Sequence, residues 1–375
     1  MTRSPGYFAA IDYLRLVCAI GVVLFHLAYT ATRGELAKLI IEPGLDDMGL
    51  WFRYGWVGVQ IFFVISGFVI AESAAKATPW SFLRRRAERL FPAVWICAPI
   101  SAVIWIAYGR DFTMTLFLLV KSLALVPGGE WIDAPYWTLG VEIGFYAVVF
   151  VVLALAGPGR MRDLAVGMGL ASALFWTVYA LEMFYGFRTG MGIFAGLKPI
   201  PIYYGAYFAL GMLIYFRKTG QTVRGGNFAI AACLAVAVAE SSLIVTRPGA
   251  ASVIPVLLFL LGLAAIVLAR PSGSRAGGFA RLCGLTTYPL YLLHFASGLA
   301  LLQFLAGHGM PGFAAALVSS AVMIGISIVI AMRLEPAVRR AMSRGIATIE
   351  LPIERHAPGW LFKPRHVQKP RPAGE

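Results

Sequence analysis

The sequence predicts an all-α polytopic membrane protein, a bundle of about ten transmembrane helices with both termini in the cytoplasm. Its composition carries this prediction. Hydrophobic residues make up 59% of the 375 positions and charged residues only 13%, and the mean hydropathy is +0.77. Soluble domains do not combine so much apolar sequence with so little charge. Most of the chain is therefore expected to lie in lipid.

Ten apolar stretches are long enough to cross a bilayer, which requires about 20 helical residues. They cover residues 11–31, 56–75, 91–108, 137–156, 164–184, 199–216, 227–246, 252–269, 282–303 and 312–332. An eleventh stretch, 112–127, is shorter, contains Lys121 and ends at Pro127. It is either a further span or an interfacial or re-entrant segment.

The positions of Lys and Arg decide between these alternatives. With ten spans and a cytoplasmic N-terminus, most basic residues fall on the inner side, above all in 76–90 and 334–375. If 112–127 crossed the membrane, every later segment would change sides and the basic excess would lie outside, contrary to the positive-inside rule. The first apolar run contains Asp12 and Arg15 and is too long for a signal peptide, so it is expected to remain as the first helix.

The net charge of +14 raises the question of a nucleic-acid partner. The basic residues are scattered over inner loops and the C-terminal segment instead of forming one soluble face, so topology explains them and no nucleic-acid partner is predicted. Residues 336–375 are rich in Pro and Arg. They are predicted to form a largely disordered cytoplasmic tail behind a transmembrane domain over 1–335, with membrane lipid as a contact.

The sequence predicts neither a metal site nor a permanently bound cofactor. All four cysteines lie in predicted spans, and their spacing is typical of neither a disulfide nor a metal site. They are Cys18, Cys97, Cys233 and Cys283. Such cysteines are expected to be packing thiols. The sequence also lacks a Walker-type glycine loop, a dinucleotide fingerprint and an HExxH motif.

Arg15 and His26 both lie within the first predicted span. Eleven steps along a helix come to about three full turns and roughly 16 Å, so both side chains share one face. Ionisable residues in lipid are costly and usually mark a functional site. The alternative is that Arg15 extends to the inner surface and His26 only packs.

On the outer side, Glu142 and His26 are predicted to lie at a matched depth of roughly 7 Å. An imidazole suits proton acceptance near neutral pH, and a carboxylate can orient it. The alternative for Glu142 is a structural ion pair. His294 approaches the same outer half and shares a face with Tyr291. A histidine of this kind is often a packing residue, so a direct role for it stays open.

On the inner side, Asp12 and Arg15 are three residues apart and are expected to form an ion pair. A dense basic loop follows the second span and contains Arg84, Arg85, Arg86 and Arg89. One interpretation is that this loop only obeys the topology rule. The other is that it attracts a phosphorylated cytosolic ligand, because guanidinium groups bind phosphate bidentately.

Taken together, these residues resemble those of one family, the bacterial acyltransferase 3 family of carbohydrate O-acyltransferases. Five motifs in the family's order carry the resemblance: Ile11–Arg15 followed by His26, Phe62–Phe68, Phe82–Pro92, Tyr136–Glu142 and Tyr288–His294. Each motif alone is weak, whereas the ordered series is specific. Thr138 stands where many members have serine, a small departure that removes no catalytic group.

The resemblance implies transfer of an acyl group, commonly acetyl from acetyl-CoA, to a hydroxyl of an extracytoplasmic polysaccharide or glycolipid at the bacterial cytoplasmic membrane. Acyl-CoA is then a donor substrate. The resemblance makes Arg15 and His26 the functional pair, with Glu142 as a third catalytic candidate. The predicted substrate-binding residues are Asp12, Arg84, Arg85, Arg86, Arg89, Ser66, Trp137, Tyr291 and His294.

Two mechanisms remain open from the sequence. His26, supported by Glu142, either deprotonates the acceptor hydroxyl or carries the acyl group covalently. A different class of function, a glycolipid transporter or flippase, would use the same polar face without making bonds. The absence of inverted repeats and the motif series count against transport. The sequence gives no indication of oligomeric state.

Overall fold

The computed structural model describes residues 7–32, 48–185, 201–245, 253–272, 277–356 and 358–362. These residues form helices and turns, with no strand among them, as the sequence predicts. The α-helices are α1 (Ala9–Leu24), α2 (Val57–Ala74), α3 (Pro79–Ala107), α4 (Phe112–Leu123), α5 (Trp137–Ala156), α6 (Met161–Tyr185), α7 (Gly205–Lys218), α8 (Gly226–Val245), α9 (Ile254–Leu268), α10 (Gly277–Gly307), α11 (Gly312–Val329) and α12 (Glu335–His356).

Among the described residues, seven helical segments are long and apolar enough to cross a membrane. Three shorter apolar helices, Phe112–Leu123, Gly226–Ser241 and Ile254–Leu268, accompany them. The chain is thus a multi-pass helical membrane protein. The number of ten spans and the side on which each terminus lies stay predictions.

Helices α2 and α7 cross at the centre of the bundle. Glycines on both helices allow their backbones to approach closely. A Cβ added to Gly67 would lie 2.0 Å from the carbonyl oxygen of Phe208, and one added to Gly211 would lie 1.9 Å from that of Val64. Only glycine permits such an approach of two backbones. Every residue of α7 from Gly205 to Phe216 is buried, so this short helix is enclosed by its neighbours.

Helix α3 begins earlier than the sequence analysis predicts. The predicted span starts at residue 91, whereas the helix starts at Pro79. Thr78 and Ser81 form a capping box, in which the Ser81 backbone N–H donates to Thr78 Oγ1 over 3.1 Å and the Thr78 N–H donates to Ser81 Oγ over 3.0 Å. Pro79 suits the first helical position. The prediction of a basic loop is therefore wrong, because its arginines lie on the first turns of a helix.

Helix α4 accounts for the ambiguous stretch 112–127. Its 12 residues extend about 18 Å, well short of the roughly 30 Å hydrocarbon core. The ammonium group of Lys121, in the last turn of α4, donates to the carbonyl oxygens of Gly128 and Glu130, which follow the helix. Gly128 and Gly129 adopt positive φ values of 91° and 62°. The chain turns back here towards α5.

Helix α12 differs from the predicted disordered tail over residues 336–356. It packs against α3, where its polar residues find partners. Arg84 Nη1 donates to Glu350 over 2.8 Å, Trp80 Nε1 donates to the same carboxylate over 2.8 Å, and Ser343 Oγ donates to Glu88 over 2.9 Å. Composition does not reveal such long-range partners. Residues 363–375 lie outside the described part of the chain.

Candidate functional site

His26 lies in a π-helical turn, Phe25–Tyr29, that continues α1. Such widened turns are frequent at functional sites because they redirect side chains. Thr30 Oγ1 donates to the His26 carbonyl oxygen over 3.0 Å and satisfies an acceptor at this turn. The imidazole meets that of His294 from α10 edge to edge, with ring centroids 5.1 Å apart and planes inclined by 20°. Two distant parts of the chain thus meet at this position.

The two imidazoles are joined by a hydrogen bond, and its surroundings fix the positions of the protons. His294 Nδ1 lies 2.9 Å from the Tyr291 carbonyl oxygen and 3.1 Å from that of Leu290. Carbonyls only accept, so Nδ1 carries the proton and Nε2 of neutral His294 is an acceptor. His26 Nδ1 lies 2.9 Å from this Nε2 and must donate to it. The remaining nitrogen, His26 Nε2, then holds a lone pair for which no hydrogen-bond donor is found among the described residues.

The partner of His26 is therefore not the one that the sequence analysis expects. Between described residues, no hydrogen bond joins His26 to Glu142. Glu142 instead accepts from Ser66 Oγ over 2.9 Å and from the Tyr146 hydroxyl. The sequence analysis placed both residues at one level, whereas the structure puts Glu142 on the wall of a cavity that Arg15, Arg86 and Arg89 line. His294, which the sequence analysis left with an open role, occupies the orienting position.

A cavity of about 260 Å³ lies beside the histidine pair, enclosed by α1, α2, α3, α5 and α10. Six of the predicted site residues line it, namely Arg15, Ser66, Arg86, Arg89, Glu142 and Tyr291. Apolar and aromatic side chains form much of the remaining wall. The cavity thus combines a cluster of guanidinium groups with an apolar surface, which suits a ligand that is anionic at one end and apolar along its length.

The helical geometry of α3 divides the four predicted arginines into two pairs. Arg86 and Arg89, three residues apart, line the cavity, and Arg89 lies over the Tyr288 ring at 5.1 Å. Arg84 faces away from the cavity and bonds Glu88 and Glu350 at 3.0 and 2.8 Å. Arg85 is exposed and donates to the Ser73 carbonyl oxygen over 3.3 Å. Because the sequence analysis assigned these arginines to a loop, it could not predict this division.

Arg86 is also incompletely paired. Its Nη2 donates to Ser73 Oγ over 3.3 Å, and its guanidinium carbon lies 5.8 Å from the centres of the Phe82 and Tyr146 rings. Its Nε is buried without a hydrogen-bond partner among the described residues. A buried guanidinium N–H that lacks an acceptor costs free energy unless a ligand supplies one.

The predicted ion pair near the N-terminal end of α1 is confirmed. Arg15 Nη1 lies 3.1 Å from Asp12 Oδ1, and the Tyr7 hydroxyl donates to Asp12 Oδ2 over 2.8 Å. Burial, followed by this bond to the Asp12 carboxylate, raises the pKa of Tyr7 to about 12. A Cβ at Gly284 would lie 2.5 Å from the Asp12 carboxylate. The carboxylate is therefore held tightly, and it in turn positions Arg15.

Asp133, which the sequence analysis did not single out, is 1% exposed and ties three elements together near the histidine pair. Its carboxylate accepts from Ser101 Oγ and from the backbone N–H groups of Ala134 and Ala296, each over 3.1 Å. Ala296 follows His294 by two residues on α10. Burial raises the pKa of Asp133 to about 7. The only sequence signal was a carboxylate just before the Tyr136–Glu142 motif.

Trp137 lies away from the arginines, in an aromatic group. Its ring is 6.4 Å from that of Phe63 and 5.5 Å from that of Tyr204. Nearby, Gln60 Nε2 donates to Glu240 over 3.0 Å, and the Tyr207 hydroxyl donates to the same carboxylate. These contacts pack α2, α5, α7 and α8 together, and they do not bring Trp137 into the cavity wall.

The chain is similar to proteins of one known family. The acyltransferase domain of the acyltransferase 3 family matches residues 8–332. The exopolysaccharide production protein ExoZ of Rhizobium meliloti is 27% identical over 331 residues, which cover 80% of this chain and 95% of that protein. No solved structure matches the chain.

Two O-acetyltransferases are also similar. The peptidoglycan O-acetyltransferase OatA of Listeria monocytogenes is 23% identical over 54% of this chain, and the O-acetyltransferase OatA of Staphylococcus aureus is 31% identical over 40% of it. The match spans only 32% and 25% of these two longer proteins. Because the family match extends over nearly the whole chain, the protein belongs to the acyltransferase 3 family and is a membrane acyltransferase.

Proposed function

We propose that the protein transfers an acyl group, acetyl in the first instance, from cytosolic acyl-CoA to a hydroxyl of an extracytoplasmic polysaccharide or glycolipid. It would act in the bacterial cytoplasmic membrane, with ten spans and both termini inside. One observation carries the proposal. The same first helix bears Arg15 in a guanidinium-lined cavity and, about 16 Å further along, His26 with the Nε2 lone pair.

The donor is proposed to bind at the arginine end. Coenzyme A carries phosphate groups, and guanidinium groups are the preferred bidentate partners of phosphate. Arg86 and Arg89 face the cavity beside Arg15, and the buried Nε of Arg86 has no partner among the described residues. The extended arm of the donor would then run along the apolar wall and carry the thioester towards His26.

His26 Nε2 is proposed to act as the general base. It takes the proton of the acceptor hydroxyl while the oxygen attacks the thioester carbonyl carbon. The carbon–sulfur bond then breaks, and the departing thiolate takes the proton from the His26 imidazolium. The Nδ1–H of that imidazolium bonds His294 Nε2 over 2.9 Å. A hydrogen bond from a charged donor is stronger than a neutral one, so His294 stabilises the intermediate charge.

A covalent route uses the same lone pair. His26 Nε2 would attack the thioester carbonyl carbon first, the carbon–sulfur bond would break, and the CoA thiolate would leave. The acceptor hydroxyl would then displace the acyl group from Nε2 and leave its proton there, from which the thiolate takes it. Rapid quenching of protein mixed with acetyl-CoA in the absence of acceptor distinguishes the two routes. An acetyl mass on the peptide containing His26 supports the covalent route, and its absence supports direct transfer.

The acceptor class rests on the relatives. One is an exopolysaccharide production protein and two are O-acetyltransferases, one of them acting on peptidoglycan by its name. Two of these names, those of the exopolysaccharide production protein and the peptidoglycan O-acetyltransferase, point to glycans. Within the family, this makes a surface polysaccharide or glycolipid hydroxyl the best-supported acceptor for this chain.

Deletion of the gene followed by mass spectrometry of surface polysaccharide and lipid tests the proposal. We expect the loss of one acyl mass increment from one glycan, restored by the wild-type gene but not by one encoding His26→Gln. If deletion lowers the amount of surface glycan but leaves its acylation unchanged, a transport function replaces the proposed one. Arg85→Ala is a matched control, because Arg85 is exposed and does not line the cavity.

A further inference from the structure

Two aromatic side chains separate the cavity from the histidine pair. Phe62 of α2 and Tyr291 of α10 both line the cavity. Their rings meet edge to face, with centroids 6.0 Å apart and planes at 77°. Tyr291 also reaches the other side, because its ring centroid lies 5.8 Å from that of His294. Rings at this separation are in contact.

The histidines themselves lie beyond this pair. Among the described residues, neither His26 nor His294 belongs to the cavity wall, although the next aromatic residue along the path, Tyr291, contacts both the cavity and His294. An acyl group carried from the arginine end towards His26 must therefore pass Phe62 and Tyr291. The size of the opening that these two rings can form limits what reaches His26.

Phe62 differs from its neighbour Phe63 in how firmly it is held. Phe63 is 4% exposed and lies in the aromatic group, 5.1 Å from Tyr204 and 4.9 Å from Phe208. Phe62 is only partly buried and faces Tyr291 across the cavity. Both rings line the cavity, but the partly buried Phe62 ring can change rotamer without displacing a packed core, whereas the enclosed Phe63 ring cannot.

We propose that Phe62 and Tyr291 form an acyl-length filter, in which the Phe62 ring sets the longest acyl chain that reaches His26. This inference rests on the proposed transfer from acyl-CoA. Each additional methylene that a tight apolar passage must accommodate changes the rate by roughly 10- to 200-fold. A filter of this kind passes acetyl readily and discriminates against butyryl.

The test is a competition between two donors. Inside-out membrane vesicles from the strain whose surface glycan the protein modifies receive equal amounts of acetyl-CoA and butyryl-CoA, and mass spectrometry counts both acyl groups on the glycan. We expect the wild type to prefer acetyl by at least about tenfold. Phe62→Ala is expected to reduce this preference at least about tenfold by raising butyryl transfer, and Phe62→Leu to give an intermediate ratio.

Two variants serve as controls. Val69→Ala enlarges the same cavity from the same helix but two turns further in, and it should leave the ratio unchanged. Tyr291→Phe keeps the ring and should also retain the preference. The filter is overturned if folded Phe62→Ala and Phe62→Leu proteins transfer with the wild-type ratio, or if the wild type shows no preference. Failure of the proposed function would look different, because no variant would transfer either acyl group.

Discussion

The site has two halves, called inner and outer after the topology proposed above, and they are built in different ways. The inner half is a cavity of about 260 Å³ with three guanidinium groups and the Glu142 carboxylate on its wall. The outer half is a contact between two imidazoles, with ring centroids 5.1 Å apart. The first arrangement leaves room for a charged ligand, and the second fixes one lone pair. Donor binding and proton transfer should therefore respond to different substitutions.

The largest effect on kcat with donor binding intact is expected at the outer half. His26→Gln keeps hydrogen-bonding capacity and approximate size but cannot accept a proton near neutral pH. We expect kcat for acyl transfer to fall by about 10²- to 10⁴-fold, with the KM for acyl-CoA unchanged. Initial rates over a series of donor concentrations measure both. Well-folded His26→Gln protein with the wild-type kcat would remove His26 from the mechanism.

A smaller loss is expected for the partner of His26. His294→Ala removes the acceptor of a hydrogen bond to the charged imidazole, worth about 1.5–3 kcal/mol, so kcat should fall roughly 10- to 150-fold. The midpoint of the pH–rate profile should also shift, because His26 loses the partner of its Nδ1–H. Rates measured from pH 5 to 9 test this. A profile with its midpoint in place would assign His294 to packing alone.

These expectations depend on a contact that the sequence could not supply. Helical spacing correctly put Arg15 and Asp12 on one face, and it identified His26 and His294 as polar residues of two spans. It could not choose between Glu142 and His294 as the neighbour of His26. Which residues of two helices meet depends on how the helices pack, and α1 packs extensively against α10.

At the inner half, the comparison separates Arg86 and Arg89 from Arg84 and Arg85. Arg86→Ala and Arg89→Ala are each expected to raise the KM for acyl-CoA about tenfold, because each removes one charge-assisted hydrogen bond to the donor. Arg84→Ala and Arg85→Ala should leave the KM unchanged. Arg15→Ala, which removes the deepest cation, is expected to abolish activity. If all four single variants of α3 keep the wild-type KM for acyl-CoA, these arginines serve topology alone.

The division of the arginines could have been predicted from a helix start that the sequence contains. Polarity and charge suggested a loop, but Thr78, Pro79 and Ser81 are a helix start that the same sequence contains. Recognising that start would have given α3 its helical periodicity and separated Arg86 from Arg84. The partners Glu88 and Glu350 would still have been out of reach, since Glu350 lies 266 residues from Arg84.

Glu142 offers an intermediate test, because it was predicted to support His26 but lies among the arginines. Glu142→Gln keeps an oxygen that can accept from Ser66 and Tyr146, so the substitution mainly removes charge. We expect the KM for the anionic donor to fall a few-fold as the cavity becomes more positive, and its salt sensitivity to increase. The pH–rate midpoint should stay in place. A shifted midpoint would show that Glu142 affects proton transfer at the histidine pair.

Asp133 should make stability depend on pH. Its pKa is about 7 in the folded protein against an ordinary value of 3.8, so the folded state binds more protons than the unfolded state between these values. Stability must fall as pH rises through this range and level off above pH 7. Thermal unfolding in detergent at pH 5, 6, 7 and 8 should therefore show a Tm that declines more steeply in the wild type than in Asp133→Asn.

Ser101→Ala is the matched control for that experiment. It removes one hydrogen-bond donor to Asp133 but retains the carboxylate, so the pH dependence of Tm should persist while Tm is lower overall. Parallel Tm curves for the wild type and Asp133→Asn would contradict the assignment. The carboxylate would then not titrate within this range.

The smallest effect is expected where α12 meets α3. The side chains of Arg84 and Glu350 are 33% and 25% exposed and lie 2.8 Å apart, and partly exposed pairs of this kind contribute at most about 1 kcal/mol. Glu350→Gln should lower Tm slightly and leave both kcat and the KM for acyl-CoA unchanged, because Arg84 does not line the cavity. A KM for acyl-CoA raised as in Arg86→Ala would instead show that α12 holds α3 in the orientation that directs Arg86 and Arg89 into the cavity. The inner half of the site would then extend to the C-terminal helix.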